Sequence, residues 1–317
     1  KGQVLILLNR RGFAPWIVCK ERTCDWLMKC DHCDSAMVFH RKKPLQNSGF
    51  VRCHHCGKEQ RIPKVCPDCE SNVIVRGAGT QRAEEILRNM LDIEWTAIAR
   101  LDSDTATSAS TIQKTLEKFG DGEIRVLLGT QMIAKGLDFP NVKLVGVLNA
   151  DASIDLPDFR ASERTYQLVS QVCGRCGRGA GESLAIIQTR DPDTSPIKLA
   201  SQGAYETFAN KELAFRNSAG LPPASRMVRF VTRHQDERTA KGKSEALFER
   251  LRSLENREVQ QTPPIPCVIP RIADFYRFEC IALAPSSRVL QSFLEDARNL
   301  MTIGRELAVD VDPIALL

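Results

Sequence analysis

Three features common in other proteins are missing from this chain of 317 residues. No apolar run approaches the roughly 20 residues needed to cross a bilayer, and no basic n-region followed by an apolar h-region opens the sequence. There is no GxxxxGK[ST] motif and no DExH-like run after a predicted strand, although such motifs hold nucleotide phosphates. These absences favour a cytoplasmic protein without a membrane partner, and they exclude a chain that hydrolyses ATP by itself.

The residues that are present indicate a packed, mildly basic protein. Hydrophobic residues make up 43% of the chain, and its length suits about two domains and a small module. The net charge of +5 permits nucleic-acid binding without requiring it, because such a site depends on clustered cations more than on total charge. Gln3 to Leu8 already has the pattern of a core strand, so we expect the chain to begin inside a domain.

Eight cysteines lie between positions 19 and 69. Two CxxC pairs separated by 19 residues match a zinc ribbon, in which two knuckles supply four thiolates to one tetrahedral ion. A third CxxC pair follows, and a C-x4-C pair precedes the ribbon. Nesting the ribbon inside an outer site uses every cysteine once, so the sequence predicts two structural Zn²⁺ sites per chain. The inner site would consist of Cys30, Cys33, Cys53 and Cys56, and the outer site of Cys19, Cys24, Cys66 and Cys69.

Disulfide bonds are the alternative for these cysteines, but such bonds are typical of oxidising compartments and no export signal is present. Catalytic zinc is disfavoured because four thiolates leave no position open for water or substrate. A further CxxC pair at Cys173 and Cys176 has no additional ligands near it in sequence. We interpret these two cysteines as small residues of a packed helix.

The stretch from Gly129 to Arg178 carries polar residues where an α/β sheet places its chemistry. Apolar runs at 124–128 and 142–148 predict two strands, and the residues between them, which begin with polar side chains, predict a loop. A helix is predicted from about Arg160, and it ends near Arg175 and Arg178, whose spacing places both on one side of the helix end. Their planar guanidinium groups suit phosphate oxygens. The alternative is a helix end that only forms ion pairs.

This stretch resembles the second motor lobe of superfamily-two helicases, because GT-x-x-x-x-KG-x-D-F matches 129–139 and Q-x-x-GR-x-GR matches 171–178. The resemblance implies a RecA-like lobe whose arginines stabilise negative charge on ATP. A first lobe would hold this ATP together with Mg²⁺. The implied catalytic residues are Arg175 and Arg178, and the implied nucleotide contacts are Gly136, Asp138 and Gln171. The implied DNA contacts are Thr80, Thr130, Gln131 and Lys135. At Thr80 an ordinary strand-to-helix turn is the alternative.

The segments around the cysteines narrow the resemblance. NRRGFAP before them, RCHHCG among them, CPDC at their end and GTQMIAKGLDFP after them are similar to the bacterial primosomal helicase family, which restarts stalled replication forks. The resemblance implies the C-terminal part of an ATP-dependent 3′-to-5′ DNA helicase that recognises branched forks and initiates primosome assembly. The C-x4-C pair beginning at Cys19 departs from the family, whose gap there is two residues. A non-enzymatic zinc-ribbon docking module is the alternative, and the residues preceding Lys1 would distinguish the two.

The C-terminal third has the predicted order β-α-β-β-α-β, a ferredoxin-like arrangement. The family uses such a domain to bind branched DNA and the acidic tail of single-strand-binding protein. The implied partners are therefore forked and single-stranded DNA, single-strand-binding protein and other primosome components. Phe275 and Glu279 stand where family members often carry Arg and Gln, a departure from the tail-binding pattern.

Together these features predict an α/β lobe in two segments, 1–16 and 72–190, interrupted by a zinc-binding insert at 17–71. Val73 to Val75 is expected to return the chain to the lobe as a strand. A helical connector at 191–225 and an α+β domain at 226–317 complete the predicted organisation.

Overall fold

The computed structural model describes residues 2–8, 16–41, 49–76, 80–102, 105–106, 108–130, 133, 139–154, 156–175 and 182–316. Five of the predicted site residues lie outside these ranges, namely Gln131, Lys135, Gly136, Asp138 and Arg178. Within the described ranges no helix has the length and apolar composition of a membrane-spanning segment.

The chain folds into a lobe that is interrupted by an insert and followed by a C-terminal domain. The first strands are β1 (Gln3–Leu8), β2 (Trp16–Cys19), β3 (Lys29–Cys30), β4 (Cys33–Ala36), β5 (Val38–Arg41), β6 (Gly49–Arg52), β7 (Glu59–Gln60) and β8 (Val73–Arg76). The lobe continues with α1 (Thr80–Met90), β9 (Ile98–Leu101), α2 (Ala109–Gly120), β10 (Val126–Gly129), β11 (Val142–Leu148), α3 (Ala161–Cys173) and β12 (Leu184–Ile187). The remaining elements are α4 (Ser195–Ser201), α5 (Tyr205–Ser218), β13 (Arg226–His234), α6 (Glu237–Arg252), β14 (Gln260–Gln261), β15 (Ile265–Ile272), β16 (Phe275–Ala284), α7 (Ser287–Arg298) and β17 (Leu307–Val311).

The lobe is built on a parallel sheet in the order β12-β11-β1-β10-β9. Its strands are continuous apolar runs because parallel sheets are covered on both faces. One face packs Leu5 and Leu7 against Phe119 of α2 and Val169 of α3. On the other face Leu8 belongs to an apolar cluster that includes Ala83 of α1. Full burial of one such side chain contributes about 1.5–3 kcal/mol, and the packing places the carboxyl ends of β9 and β10 side by side at one edge of the sheet.

The insert has its own antiparallel sheet, in the order β7-β6-β5-β2-β8, and a separate β3–β4 hairpin. The strand predicted at 73–75 forms as β8, but it pairs with β2 and not with the sheet of the lobe. The physical reason is that β2 and β8 are the two ends of the insert, so pairing them closes the module on itself. Its core contains Ile17, Met37, Phe39 and Val51.

The C-terminal domain is an antiparallel sheet in the order β14-β16-β13-β17, with β15 also paired to β16. The helices α6 and α7 pack on one face, where Phe230, Leu251 and Phe293 form a core. The predicted element order is therefore observed, with the two-residue strand β14 added before β15. Both helices begin at a capping side chain, since Asp236 accepts from the Thr239 amide and Ser286 from the Val289 amide.

Candidate metal centres and motor-lobe residues

The inner cluster brings together the four thiols of Cys30, Cys33, Cys53 and Cys56, whose sulfur atoms lie within 4.8 Å of one another. The β3–β4 hairpin holds the first pair, and the turn after β6 holds the second. The sulfur atoms of Cys30 and Cys56 are 3.7 Å apart. A tetrahedral zinc ion with Zn–S bonds of about 2.3 Å sets a sulfur separation of about 3.8 Å. The donor set and spacing therefore fit Zn²⁺.

The outer cluster consists of Cys19, Cys24, Cys66 and Cys69, again with all four sulfur atoms within 4.8 Å. Cys19 ends β2, and the knuckle at 66–69 precedes β8, its neighbour in the sheet. The sulfur atoms of Cys24 and Cys66 are 3.7 Å apart. The longer gap between Cys19 and Cys24 therefore still brings both thiols to one point. This cluster is the more accessible one, because Cys69 is exposed.

Backbone amides close to each cysteine in sequence support most of these sulfur atoms. Glu21 donates its amide hydrogen to Cys19, and His32 donates to Cys30, at 3.3 and 3.4 Å. Burial alone would raise the pKa of Cys53, but hydrogen bonds from the Ser35 hydroxyl and from nearby amides lower this pKa to about 6. In the outer cluster the Ser71 amide lowers the pKa of Cys69 to about 7. Each cluster thus contains one thiol whose pKa is lowered, whereas burial raises the pKa of Cys19 and of Cys33 to about 12. A bound cation would therefore have to displace protons from the remaining thiols.

Gly129 and Thr130 form a tight corner at the end of β10. A Cβ atom on Gly129 would lie 2.5 Å from the Leu101 carbonyl oxygen and 2.7 Å from a methyl group of Ile133, so only glycine fits. The Thr130 carbonyl accepts a hydrogen bond from the Ile133 amide at 3.1 Å. Thr130 is 6% exposed, and its side chain consequently offers little surface to a ligand in this conformation.

Thr80 begins α1 inside a charged network. Its hydroxyl donates to Asp102 Oδ2 and accepts from Arg100 Nη1, the latter at 3.2 Å. Arg100 lies 2.6 Å from Asp102 through Nη1 and 3.0 Å from Glu84 through Nε. The Thr80 hydroxyl therefore uses its hydrogen inside the protein. Sequence reasoning missed this network, although a threonine that opens a helix near a strand-end aspartate is a recognisable signal for it.

The helix α3 carries Gln171 in its last turn, and Arg175 follows immediately after its end at Gly174. The Arg175 amide continues the helical path by donating to the Val172 carbonyl at 3.1 Å. Gln171 is exposed and Arg175 is half-buried. Because the two residues are four positions apart on a helical path, their side chains lie on the same side of the helix end.

The opposite end of α3 contacts the C-terminal domain, which sequence reasoning missed. Arg160 donates to the Pro313 carbonyl, and Arg164 donates to the Ile314 carbonyl. Arg164 also forms an ion pair with the buried Asp158 at 2.9 Å. The helix that carries Gln171 at one end is thus held at its other end by the last residues of the chain.

Comparison with known families assigns a class to this arrangement. The model "Helicase conserved C-terminal domain" matches residues 57–180, which include β9, β10 and β11 of the parallel sheet, so the fold is that of a helicase C-terminal lobe. The model "PriA DNA helicase Cys-rich region (CRR) domain" matches residues 30–61, and "Primosomal protein N C-terminal domain" matches 217–314. The chain belongs to the PriA family of replication restart proteins.

Relatives named "Replication restart protein PriA" match nearly the whole chain. The Bacillus subtilis protein is 37% identical over 294 residues, which is 92% of this chain and 35% of that protein. The Treponema pallidum protein is 38% identical over 320 residues, 99% of this chain and 47% of that one. The chain therefore spans less than half the length of these relatives. Among solved structures, a Mycobacterium smegmatis helicase Lhr bound to ssDNA and AMP-PNP covers 40% of this chain and 15% of its own, at 20% identity and TM-score 0.27.

Proposed function

We propose that this chain is the C-terminal part of an ATP-dependent 3′-to-5′ DNA helicase that recognises stalled or branched replication forks and initiates primosome assembly. The observation that carries the proposal is the combination of a parallel helicase lobe with two four-thiol clusters in a chain of the PriA family. Because replication restart takes place on the chromosome, the proposed location is the cytoplasm.

ATP and Mg²⁺ would be held by a lobe that supplies the Walker motif, which this chain lacks, so the chain alone is inactive as an ATPase. In the assembled motor Arg175 and Arg178 would neutralise charge developing on the transferred phosphoryl group. Gln171 lies on the same side of the helix end as Arg175 and would contact the nucleotide together with Gly136 and Asp138. The position of Gln171 and Arg175 at the end of α3 supports this assignment.

DNA contacts are proposed for Gln131, Lys135, the Thr80 turn and Thr130, the last through its backbone because its side chain is buried. The three residues other than Thr80 follow β10, and the Thr80 turn is tied to the end of the neighbouring β9 through Asp102. For Thr80 the hydrogen-bond network favours a contact through the backbone amides at the start of α1, because the hydroxyl is already engaged. We further propose that the C-terminal domain is ferredoxin-like and contacts single-strand-binding protein and other primosome components. The proposed domain limits are those given by the sequence, with the insert extended to include β2 and β8.

Zinc in both clusters would be structural. Four thiolates fill a tetrahedral ion, so the metal would cross-link strand ends and take no part in a reaction. In the inner cluster Cys30, Cys33, Cys53 and Cys56 would hold the ion, and in the outer cluster Cys19, Cys24, Cys66 and Cys69. Such cross-links would stabilise a module whose apolar core is small.

The proposal is tested in the full-length protein with the separate substitutions Arg175→Ala and Arg178→Ala. Removing an arginine that acts on transition-state charge costs about 10³–10⁵ in turnover, while binding to a forked DNA should change less than twofold. Arg252→Ala removes an exposed arginine of α6 and serves as the control. Unchanged turnover in both variants would exclude them from catalysis. A wild-type protein that binds forks without any ATP turnover would instead identify a docking module.

A further inference from the structure

The β15–β16 hairpin of the C-terminal domain reaches the inner cluster through a two-residue turn. Ile272 pairs with Phe275, so Ala273 and Asp274 alone form the loop. Both residues have positive φ, +50° and +65°, the backbone of a type I′ turn, which usually requires asparagine or glycine. A left-handed alanine is held in place only where surrounding contacts determine the conformation. The neighbours of this turn therefore decide its shape.

Those neighbours belong to the knuckle that joins Cys30 and Cys33. The Asp274 amide donates to the His32 carbonyl at 2.8 Å, and Asp274 Oδ2 lies 2.5 Å from His32 Nδ1. Arg271 Nε donates to Asp34 Oδ1 at 3.2 Å. Ile272 adds an apolar contact to the core of the insert. The turn is thus fixed to both sides of the knuckle by backbone, charge and packing contacts.

One contact reaches a predicted zinc ligand directly. The Ala273 amide donates to the Cys33 sulfur at 3.2 Å, across 240 positions of sequence. For Cys19, Cys30 and Cys69 the corresponding amide lies two positions further along the same loop. Cys33 therefore differs from these three cysteines, because its sulfur accepts a hydrogen bond from an amide of the C-terminal domain. Hydrogen bonds to a ligand atom orient it and tune its affinity for the metal, typically by 10–100-fold.

We propose that the 272–275 turn is a structural part of the inner zinc site, so that retention of the inner zinc and docking of the C-terminal domain depend on each other. The inference rests on the zinc binding proposed above. Linkage makes the dependence reciprocal: contacts that raise the affinity of the inner site for zinc must themselves be strengthened, by the same free energy, when zinc is bound. The outer cluster, whose described contacts lie within the insert, should be independent of the turn.

The first experiment measures zinc transfer from the complete zinc-loaded chain to a chelating dye. Asp274→Ala should speed release of one zinc about tenfold or more and leave the other unchanged. Asp312→Ala is the matched control, because Asp312 also has positive φ (+49°) and an ion pair at 2.8 Å, with Arg226, inside the C-terminal domain. Ala273→Gly keeps the amide and relieves the turn, so it should retain wild-type release.

A second readout separates positioning from loss of fold. In the cadmium-loaded chain, cadmium NMR should give one resonance per site, and Asp274→Ala should shift only that of the inner site. Removal of zinc should in turn increase hydrogen exchange at the Ala273 and Asp274 amides. Two bound ions with wild-type release and unshifted resonances in Asp274→Ala would overturn the inference while leaving zinc binding intact. Fewer than two ions in the wild-type chain would overturn the proposed zinc sites themselves.

Discussion

Arg216 of α5 and Glu163 of α3 join the connector to the motor lobe through an ion pair of 2.7 Å between Nη2 and Oε2. The guanidinium group also lies 2.8 Å from Glu212 and 5.3 Å from the ring centre of Phe159. Its side chain is 7% exposed. A charge so little exposed must be paired, and the pairing fixes α5 on α3, the helix that carries Gln171 and precedes Arg175.

Arg216→Ala should therefore destabilise the chain. Removing one partner of a buried ion pair leaves a carboxylate without compensation, which costs about 3–5 kcal/mol, and Glu163 is partly exposed, so we expect about 3 kcal/mol. Urea unfolding measures the change. Arg252→Ala breaks an exposed pair with Glu249 and should change stability by less than about 0.5 kcal/mol. Equal unfolding midpoints for the two variants would contradict a structural role for Arg216.

Local patterns in the sequence predicted the elements well. The apolar run at 142–148 is β11, and the apolar run at 124–128 contains most of β10. The pairing of cysteines into two clusters was also predictable, because metal ligands must be used in fours. In each case the information lies in a few neighbouring residues or in a chemical counting rule.

Contacts between distant segments could not be predicted in this way. Nothing near Ala273 shows that its amide meets Cys33, since any residue offers the same amide. Val73 has the same pattern in either sheet, and its pairing with Cys19 depends on the closure of the whole insert. The engagement of the Thr80 hydroxyl by Asp102 likewise depends on how α1 packs beside β9.

The two clusters should respond differently to loss of one thiol. Cys24→Ser removes a half-buried ligand at the edge of the insert, whereas Cys53→Ser removes a fully buried one packed among the insert core. Both variants should bind about one zinc per chain by metal analysis. Only Cys53→Ser should also expose the insert to limited proteolysis, because the ion it loses would join the β3–β4 hairpin to the turn after β6 inside the insert core.

Cys173→Ala is the control for these variants. Cys173 ends α3 outside both clusters, so this variant should keep two zinc ions and the wild-type proteolysis pattern. Loss of zinc from Cys173→Ala would show that the CxxC pair at 173–176 binds metal. Two zinc ions in Cys24→Ser would show that the outer cluster is not a metal site.

DNA binding by the isolated chain should be weak, independent of base sequence and strongly dependent on salt. A cation that contacts phosphate releases counterions, so each contact contributes about −0.9 to the slope of log affinity against log salt on duplex DNA, and about −0.7 on single strands. Lys135→Ala should therefore reduce the magnitude of the slope by about 0.7 on single-stranded DNA. Lys211→Ala removes an equal charge from the exposed surface of α5 and should leave the slope unchanged.

Thr80→Ala should also leave the salt slope unchanged, because the Thr80 hydroxyl is engaged with Asp102 and the amide of residue 80 persists. The lost hydrogen bonding should lower the stability of the chain by about 1 kcal/mol. Fluorescence anisotropy at several salt concentrations gives all three slopes. Identical slopes and affinities for Lys135→Ala and wild type would mean that Lys135 orders its own loop and does not contact DNA.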